Sequence, residues 1–415
     1  MPRPSHFCAV MRPLLTLALI CPPAGAYSAL SHEAMIDSVW TSHIRPLLLL
    51  RYPQATPEEL KTAHAYAYGG SQIQDLGYFP FGSHEYSDYA HYVRSGDFVT
   101  ALIRDAETID EFAFALGALA HYTSDRIGHP AVNDATGLVY PGLRHKLGRA
   151  ITYEDNPGDH LKVEFSLDVA QVARGRYAPD AYHDFVGFEV SEVVLKKAFR
   201  DTYAIDLEEL IGALDIGVGT YRFTVGRVIP EMTRVAWDSH RSDIQQLSPG
   251  ITREKFVYAL PRAEYRRQWD SRYREPGIFT RFLAFLFRLV PTVGPFKVLS
   301  FKRLPPTAEK EFLESFDRAV ESYRQSLATL RGGLPSLPNF NLDTGAPARP
   351  AEYRLADQAY VHLLDRLGKQ HFAQVDRKLR ENLLTFFRGA DRAKLARKTL
   401  DELEELEHTA SNTIP

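Results

Sequence analysis

The chain has 415 residues, of which 45% are hydrophobic and 24% are charged. This is a globular composition with enough apolar material for one large or two modest cores, and it argues against disorder over most of the chain. The 49 basic and 52 acidic residues leave a formal net charge of −3, so the chain has no overall positive field to recruit nucleic acid or an anionic membrane.

Residues 1–26 have the pattern of an export signal. Arg3 and Arg12 flank the start of a short apolar run at residues 14–20, and small residues at 24–26 provide a cleavage site before Tyr27. The run is shorter than the about 20 residues that a membrane-spanning helix needs. We therefore expect a secreted or periplasmic protein with a cleaved signal peptide.

Both cysteines of the chain, Cys8 and Cys21, fall within this signal segment. Lipidation at Cys21 is disfavoured, because Ile20 is a poor small-residue neighbour for it. A mature chain beginning at Tyr27 has neither disulfides nor thiolate ligands. Any transition-metal site must then use imidazole and carboxylate groups.

The remaining sequence predicts an all-α fold, a multi-helix bundle with additional C-terminal helices. Apolar residues recur at three- and four-residue spacing, and no run of alternating strands appears. We predict a helical domain at residues 27–250 and a helical C-terminal region at 251–415. Residues 332–350 are rich in Gly and Pro and are predicted to form a long connection within that region.

The sharpest motif contains His121, Asp125 and His129 at positions i, i+4 and i+8 of a predicted helix. At about 100° per residue these side chains form one stripe that rises about 12 Å. The residues before it are apolar enough for a buried helix, in which such groups are costly unless paired or metallated. Pro130 predicts that the helix ends at His129, leaving this imidazole at the rim. A metal site and a hydrogen-bonded core pair with a surface histidine are both open for this triplet.

Further candidate ligands lie on either side of this motif. His160 and Glu164 are again one helical turn apart, although an isolated pair of this kind is usually only a surface interaction. Asp75 lies in a Gly-rich turn, His84 follows it, and His32 begins the first helix of the predicted mature chain. Because these candidate ligands occur together with the triplet, they strengthen the interpretation of the triplet as part of a metal site.

In its residue types and their order, this set resembles the zinc-dependent phospholipase C family, which includes bacterial phospholipases C, alpha-toxin-like proteins and the amino-terminal domain of glycosylphosphatidylinositol-specific phospholipase D. The resemblance covers roughly residues 30–200. It implies a helical domain that holds two or three zinc ions. The matching positions are His32, Asp75, His84, His121, Asp125, His129, His160 and Glu164.

The resemblance also implies a role for each position. Asp75, His84, His121 and Asp125 would hold one zinc ion, and His129, His160 and Glu164 would hold a second. Asp125 would bridge to a third ion at His32, although the chain departs here from members that use a terminal Trp amino group. A phosphodiester would span the ions, and Asp75 or the metal would activate the attacking water.

One ligand position has two candidates. His91, in the segment Tyr89-Ala90-His91-Tyr92, competes with His84. We prefer His84 because it follows Asp75 at a more family-like distance. Glu154 and Asp155 are candidate carboxylates for orienting imidazoles, with a solvated loop as the alternative.

The stretch 278–302 is aromatic and basic and permits two interpretations. Arg281 and Arg288 lie seven residues apart on an otherwise apolar segment, which suits a helix lying in a membrane interface. A buried helix with snorkelling arginines explains the pattern at least as well. The arginines and Pro291 argue against a membrane span.

The expected function is a zinc-dependent phosphodiester hydrolase of the phospholipase C type, acting on a phospholipid or another phosphodiester. A single-strand zinc nuclease is the enzymatic alternative. Nucleic acid is disfavoured as a partner, because that family usually closes its site with His-x-x-x-Asp and because clustered aromatic and basic residues are not evident here. A metal-stabilised helical module that binds without catalysis is the third hypothesis.

Overall fold

The computed structural model describes residues 29–148, 150–174, 187–257, 302, 304–334 and 336–409. These residues are mostly helical and contain no β-strand, so the prediction of an all-α fold is confirmed. An isolated bridge joins Asn341 and Ala346. The α-helices, numbered in chain order, are α1 (Ala29–Val39), α2 (Arg45–Arg51), α3 (Pro57–Gly70), α4 (His84–Tyr92), α5 (Ser95–Asp105), α6 (Ile109–Val139), α7 (Pro141–Leu147), α8 (Pro157–Ala173), α9 (Glu192–Tyr203), α10 (Leu207–Leu210), α11 (Leu214–Phe223), α12 (Ile229–Leu247), α13 (Arg253–Phe256), α14 (Pro306–Thr329), α15 (Arg354–Gly368), α16 (Arg377–Arg388) and α17 (Arg397–His408). The chain also forms 3-10 helices at Ile73–Tyr78 and Arg392–Lys394, and π-helical turns at Trp40–Ile44 and Thr224–Val228.

The 31-residue helix α6 carries three of the predicted ligands. It begins with a capping box, in which the Thr108 hydroxyl accepts a hydrogen bond from the Glu111 amide and the Glu111 carboxylate accepts one from the Thr108 amide. Its next residues, 112–120, are apolar and buried. The helix therefore carries His121 and Asp125 into the interior.

Helices α3 and α6 cross at a glycine contact. A Cβ atom at Gly70 would lie 2.0 Å from the Phe114 carbonyl oxygen, and one at Gly117 would lie 2.1 Å from the Ala67 carbonyl oxygen. Only glycine permits backbones to approach this closely. The crossing places the end of α3, at Ser71, beside His121 of α6.

The prediction that the helix ends at His129 is wrong, because α6 continues through Pro130 to Val139. Proline cannot donate to the carbonyl four residues earlier, which is that of Arg126. The connection before α15 packs at this point, where a Cβ atom at Gly345 would lie 2.4 Å from the Arg126 carbonyl oxygen. This packing covers the interrupted turn, so His129 is buried and not at a rim.

The C-terminal helices share a core with the first half of the chain. One hydrophobic cluster extends from Leu30 through Phe114 to residues of α14, α15, α16 and α17. The Tyr323 hydroxyl of α14 donates to the Leu116 carbonyl of α6 at 2.8 Å. The sequence division at residue 250 stays a prediction, and the described residues on its two sides pack together.

Some sequence predictions lie outside the described residues. These are the export signal at 1–26 and the aromatic and basic stretch 278–302, apart from Lys302. In the part of the chain that the structure does describe, no helix combines the length and the apolar character that crossing a membrane requires.

Candidate metal centre

Seven of the eight predicted ligands lie in one buried region, to which α1, α6, α8 and the 3-10 helix at Ile73–Tyr78 contribute. Each of the seven is at most 4% exposed. They are His32, Asp75, His121, Asp125, His129, His160 and Glu164. The local spacing on α6 and α8 supplies five of them, and the packing of four separate elements brings the set together.

The structure places His91, and not His84, in this region. His84 is exposed at the start of α4, where its ring meets Tyr78 edge-on, with a centroid separation of 5.4 Å. His91 lies near the end of α4 and is buried, with its Nε2 atom 3.3 Å from Asp75 Oδ1 and 3.6 Å from Asp125 Oδ2. The structure therefore favours His91 over His84 for this position, and the assignment of either as a metal ligand stays a prediction.

The described residues contain two groups of three donor residues, and within each group the donor atoms all lie within 4.8 Å of one another. One contains Asp75, His91 and His121, and the other contains His32, His121 and Asp125. In the first group, the Nε2 atoms of His91 and His121 are 3.3 Å apart. In the second, Asp125 Oδ1 is 3.4 Å from His32 Nε2, and Asp125 Oδ2 is 3.0 Å from His121 Nε2.

The remaining predicted ligands continue the cluster along α6 and onto α8. His129 Nε2 is 3.6 Å from Asp125 Oδ2, and His160 Nε2 is 2.8 Å from Glu164 Oε1. The rings of His129 and His160 have centroids 6.1 Å apart. The donor atoms of His129, His160 and Glu164 are more widely spaced than those of the two compact groups. Asp125 connects His129 to these groups.

The outer nitrogen, Nδ1, of every histidine in the cluster lies within hydrogen-bonding distance of an oxygen atom. The pairs are His32 with the Ser124 hydroxyl (3.0 Å), His91 with the Ser87 carbonyl (2.8 Å), His121 with the Ser71 carbonyl (2.9 Å), His129 with Asp343 Oδ1 (3.0 Å) and His160 with the Ile151 carbonyl (3.3 Å).

These contacts assign the tautomers of the neutral rings. In His91, His121 and His160, Nδ1 faces a carbonyl oxygen, which only accepts hydrogen bonds, so Nδ1 carries the proton and donates it. In His129, Nδ1 faces the Asp343 carboxylate at ion-pair distance, without the alignment of a hydrogen bond, and the negative charge favours the same tautomer. The Ser124 hydroxyl donates its own hydrogen to the His121 carbonyl, at 3.0 Å, and thus accepts from His32. Nε2 of each ring is left with a lone pair that faces the cluster, as in histidines that ligate a metal.

The cluster contains buried polar atoms that the described residues do not satisfy with hydrogen bonds. They are Asp75 Oδ1, both carboxylate oxygens of Asp125, both ring nitrogens of His129, Nε2 of His160, and Glu164 Oε1. Leaving such atoms unsatisfied costs free energy, which a bound cation would offset. Imidazole nitrogens and carboxylate oxygens are donors that zinc accepts. The residues therefore fit zinc.

The charges of the cluster shift several of its pKa values. Burial raises the pKa of Asp125, but the facing imidazoles of His121 and His129 outweigh it and hold that pKa well below its usual range. Burial, reinforced by His129, lowers the pKa of His160 to about 4. Burial, reinforced by Asp125 and Asp75, raises the pKa of Glu164 well above its ordinary value. At neutral pH, Asp125 is thus ionised and His160 is neutral, the states in which each binds a metal.

Sequence reasoning named His91 but ranked it below His84, and it did not include Asp343. The sequence did contain a local indication that His91 is buried, because its neighbours Tyr89, Ala90 and Tyr92 are apolar or aromatic, whereas His84 is followed by Glu85. No local signal marks Asp343, which lies in the predicted connection and reaches His129 only through the fold. Glu154 accepts a hydrogen bond from the Leu355 amide, at 3.1 Å, so its observed contact is with the start of α15.

Comparison with protein families gives one match. Residues 31–212 match the family described as zinc dependent phospholipase C, and this range contains every candidate ligand from His32 to Glu164. No curated protein and no solved structure matched the chain. The family supports a zinc hydrolase of the phospholipase C type, in agreement with the donor set of the cluster. The match over residues 31–212 therefore confirms the resemblance to the zinc dependent phospholipase C family.

Proposed function

We propose that the protein is a zinc-dependent phosphodiesterase that hydrolyses a phospholipid by attack of an activated water. The observation that carries this proposal is the common orientation of five imidazoles. Each turns Nε2 toward a buried cluster that contains Asp75, Asp125 and Glu164, inside the segment that matches the family. A purely structural polar core would satisfy these atoms with hydrogen bonds, and six of them have none among the described residues.

The contacts suggest how the ligands are shared. Asp75, His91, His121 and Asp125 would hold one ion, and His129, His160 and Glu164 a second. His32 and Asp125 would contribute to a third. Zinc ions held in this way polarise phosphoryl oxygens, lower the pKa of water and stabilise a leaving alkoxide.

Asp75 is our candidate for the general base. Its Oδ1 atom lies 3.3 Å from His91 Nε2 and has no hydrogen-bond partner among the described residues. A carboxylate held by a rigid turn of 3-10 helix can accept a proton from a water molecule within the cluster. Asp125 is less suited to this role, because it contacts His32, His91, His121 and His129 at once.

The family match supports a phospholipid as the substrate, and the N-terminal sequence supports an exported protein. A phospholipid diester presents the anionic phosphate that the cationic site would bind. We propose export through the segment at residues 1–26, which places the enzyme outside the cytoplasm. Contact of residues 278–302 with a lipid surface is a further part of this proposal.

Turnover assays on the mature full-length protein test the function. We expect hydrolysis of a chromogenic phosphocholine diester and of phospholipid vesicles, loss of both activities on chelation, and recovery on addition of zinc. Single-stranded DNA is assayed in parallel, and cleavage of DNA alone would identify a nuclease instead. Inactivity on all three substrates with zinc fully loaded would contradict an enzymatic function and favour a binding module.

Asp75→Asn separates chemistry from metal binding in the same assay. If Asp75 is the base as well as a ligand, the variant loses at least about 100-fold in kcat even after zinc is restored to the wild-type content. A variant with wild-type kcat at equal zinc content would remove Asp75 from the chemical step, while leaving the metal centre in place.

A further inference from the structure

Asp343 of the Gly- and Pro-rich connection enters the metal centre from outside the segment that matches the family. It is 3% exposed, and its Oδ1 atom lies 3.0 Å from His129 Nδ1. Its Oδ2 atom accepts hydrogen bonds from the hydroxyls of Tyr92 at 2.8 Å and Tyr353 at 2.5 Å. Oδ1 therefore faces Nδ1, the ring nitrogen opposite to the one that faces Asp125, at ion-pair distance, and Oδ2 is held by two hydroxyls.

The backbone around Asp343 is held by residues that flank the cluster. The Leu342 amide donates to the His91 carbonyl at 3.0 Å, and the Asn133 side chain donates to the Asp343 carbonyl at 2.9 Å. The Asp343 amide donates to the Asn341 side chain at 2.9 Å, within a local turn. The carboxylate is therefore held in a fixed position relative to α4 and α6.

His129 is distinguished from the other histidines of the cluster by this partner. The Nδ1 atoms of His32, His91, His121 and His160 face neutral oxygens, whereas that of His129 faces a carboxylate. A carboxylate that accepts from a ligand imidazole fixes its ring and raises its basicity.

We propose that Asp343 is a positioning residue that holds His129 with Nε2 toward the cluster and strengthens zinc binding at the site formed with His160 and Glu164. The proposal rests on the proposed function, since it takes His129 as a zinc ligand. It gives the connection at residues 332–350 a part in the metal centre. The alternative is that Asp343 only ties this connection to the helical body.

The test compares Asp343→Asn with two other variants of the full-length protein. Asn is close to Asp in size and still accepts a hydrogen bond, so it removes the charge with little change in shape. His129→Ala removes the ligand itself. Asn339→Ala is the matched control, because Asn339 anchors the same connection through Asp97, at 3.0 Å, without contacting the cluster.

Zinc affinity is measured by chelator competition, and the cobalt-substituted proteins are compared by visible absorption. We expect Asp343→Asn to weaken about one zinc equivalent by 10- to 100-fold, to alter the cobalt spectrum and to leave the remaining zinc tightly bound. His129→Ala should abolish the same equivalent. Asn339→Ala should retain wild-type affinity and the wild-type spectrum, with any change confined to thermal stability.

The outcomes separate the two proposals. If His129→Ala loses a zinc equivalent while Asp343→Asn retains wild-type affinity and spectrum, Asp343 is a structural tether and this inference is overturned, with the metal centre intact. Equal losses in Asp343→Asn and Asn339→Ala would also overturn it, because tethering would then explain the effect. Absence of zinc binding by the wild-type protein would overturn the proposed function itself.

Discussion

The Nε2 atoms of His91 and His121 lie 3.3 Å apart, and in the neutral rings neither has a hydrogen to place between them. The Nδ1 atoms of both rings donate to carbonyl oxygens, those of Ser87 and Ser71. Two facing lone pairs at this distance repel each other unless a cation or proton is shared. The protein thus brings His91 and His121 together at a separation that a zinc ion would stabilise.

The replacement of His91 by Ala is expected to remove about one equivalent of zinc, because its ring contacts both Asp75 and Asp125. His84→Ala is the matched control on the same helix, and it should retain the wild-type zinc content because His84 is exposed. Elemental analysis after gel filtration measures both. Loss of zinc from the His84 variant, with full loading of the His91 variant, would return the ligand position to His84.

Asp125→Asn is expected to lose more zinc than His91→Ala. The Asp125 carboxylate lies within 3.6 Å of Nε2 atoms in His32, His91, His121 and His129, so it takes part in every portion of the cluster. Loss of its charge would also leave several buried imidazoles without their counter-ion. Equal zinc content in the two variants would count against a central position for Asp125.

Removal of the metal should make stability depend on His160. Burial lowers the pKa of this histidine to about 4, so between pH 6.5 and 4 the unfolded chain binds more protons than the folded one. The free energy of unfolding of the metal-free protein therefore falls as the pH falls through this window, by at most about 3 kcal/mol from His160.

His160→Gln should remove this contribution, so that the free energy of unfolding of the metal-free variant falls less steeply between pH 7 and pH 4.5. Urea unfolding of chelator-treated protein at a series of pH values measures it. The control is His145→Gln at an exposed position, which should reproduce the wild-type slope. Identical slopes for the His160 variant and the wild type would show that proton binding at this ring is not coupled to folding.

Gly117→Ala is expected to destabilise the protein by about 1–3 kcal/mol, because its Cβ atom would lie 2.1 Å from the backbone carbonyl of Ala67. The helices α3 and α6 must separate to admit it, and Ser71 then moves away from His121. Gly142→Ala is the control in α7, where a Cβ atom meets nothing within 4 Å, and it should be neutral or stabilising. Thermal unfolding measures both, and equal melting temperatures would contradict the close crossing.

The pairs with helical spacing were predictable from sequence. His121, Asp125 and His129 share one side of α6, and His160 and Glu164 share one side of α8, because backbone geometry alone brings residues four apart onto the same face. The same periodicity predicted an all-α fold. The order of the ligand types along the chain was sufficient to indicate the family whose model matches residues 31–212.

His84 and His91 could not be distinguished in this way. They lie seven residues apart on α4, which is close to two full turns, so both project from the same face and differ in position along the axis by about 10 Å. Which of them reaches the cluster depends on how α4 docks against α6 and the 3-10 helix at Ile73–Tyr78. Docking is a property of the packed molecule.

The sequence by itself determined which side chains are available to bind a metal and which of them share a helical face, since both follow from covalent chemistry and the geometry of one helix. Only the tertiary structure decided that His91 is buried, that α6 passes through Pro130 and that Asp343 meets His129. Those three features arise from contacts between elements distant in sequence. The apolar and aromatic neighbours of His91 indicate its burial, but no local pattern of residues encodes the contacts themselves.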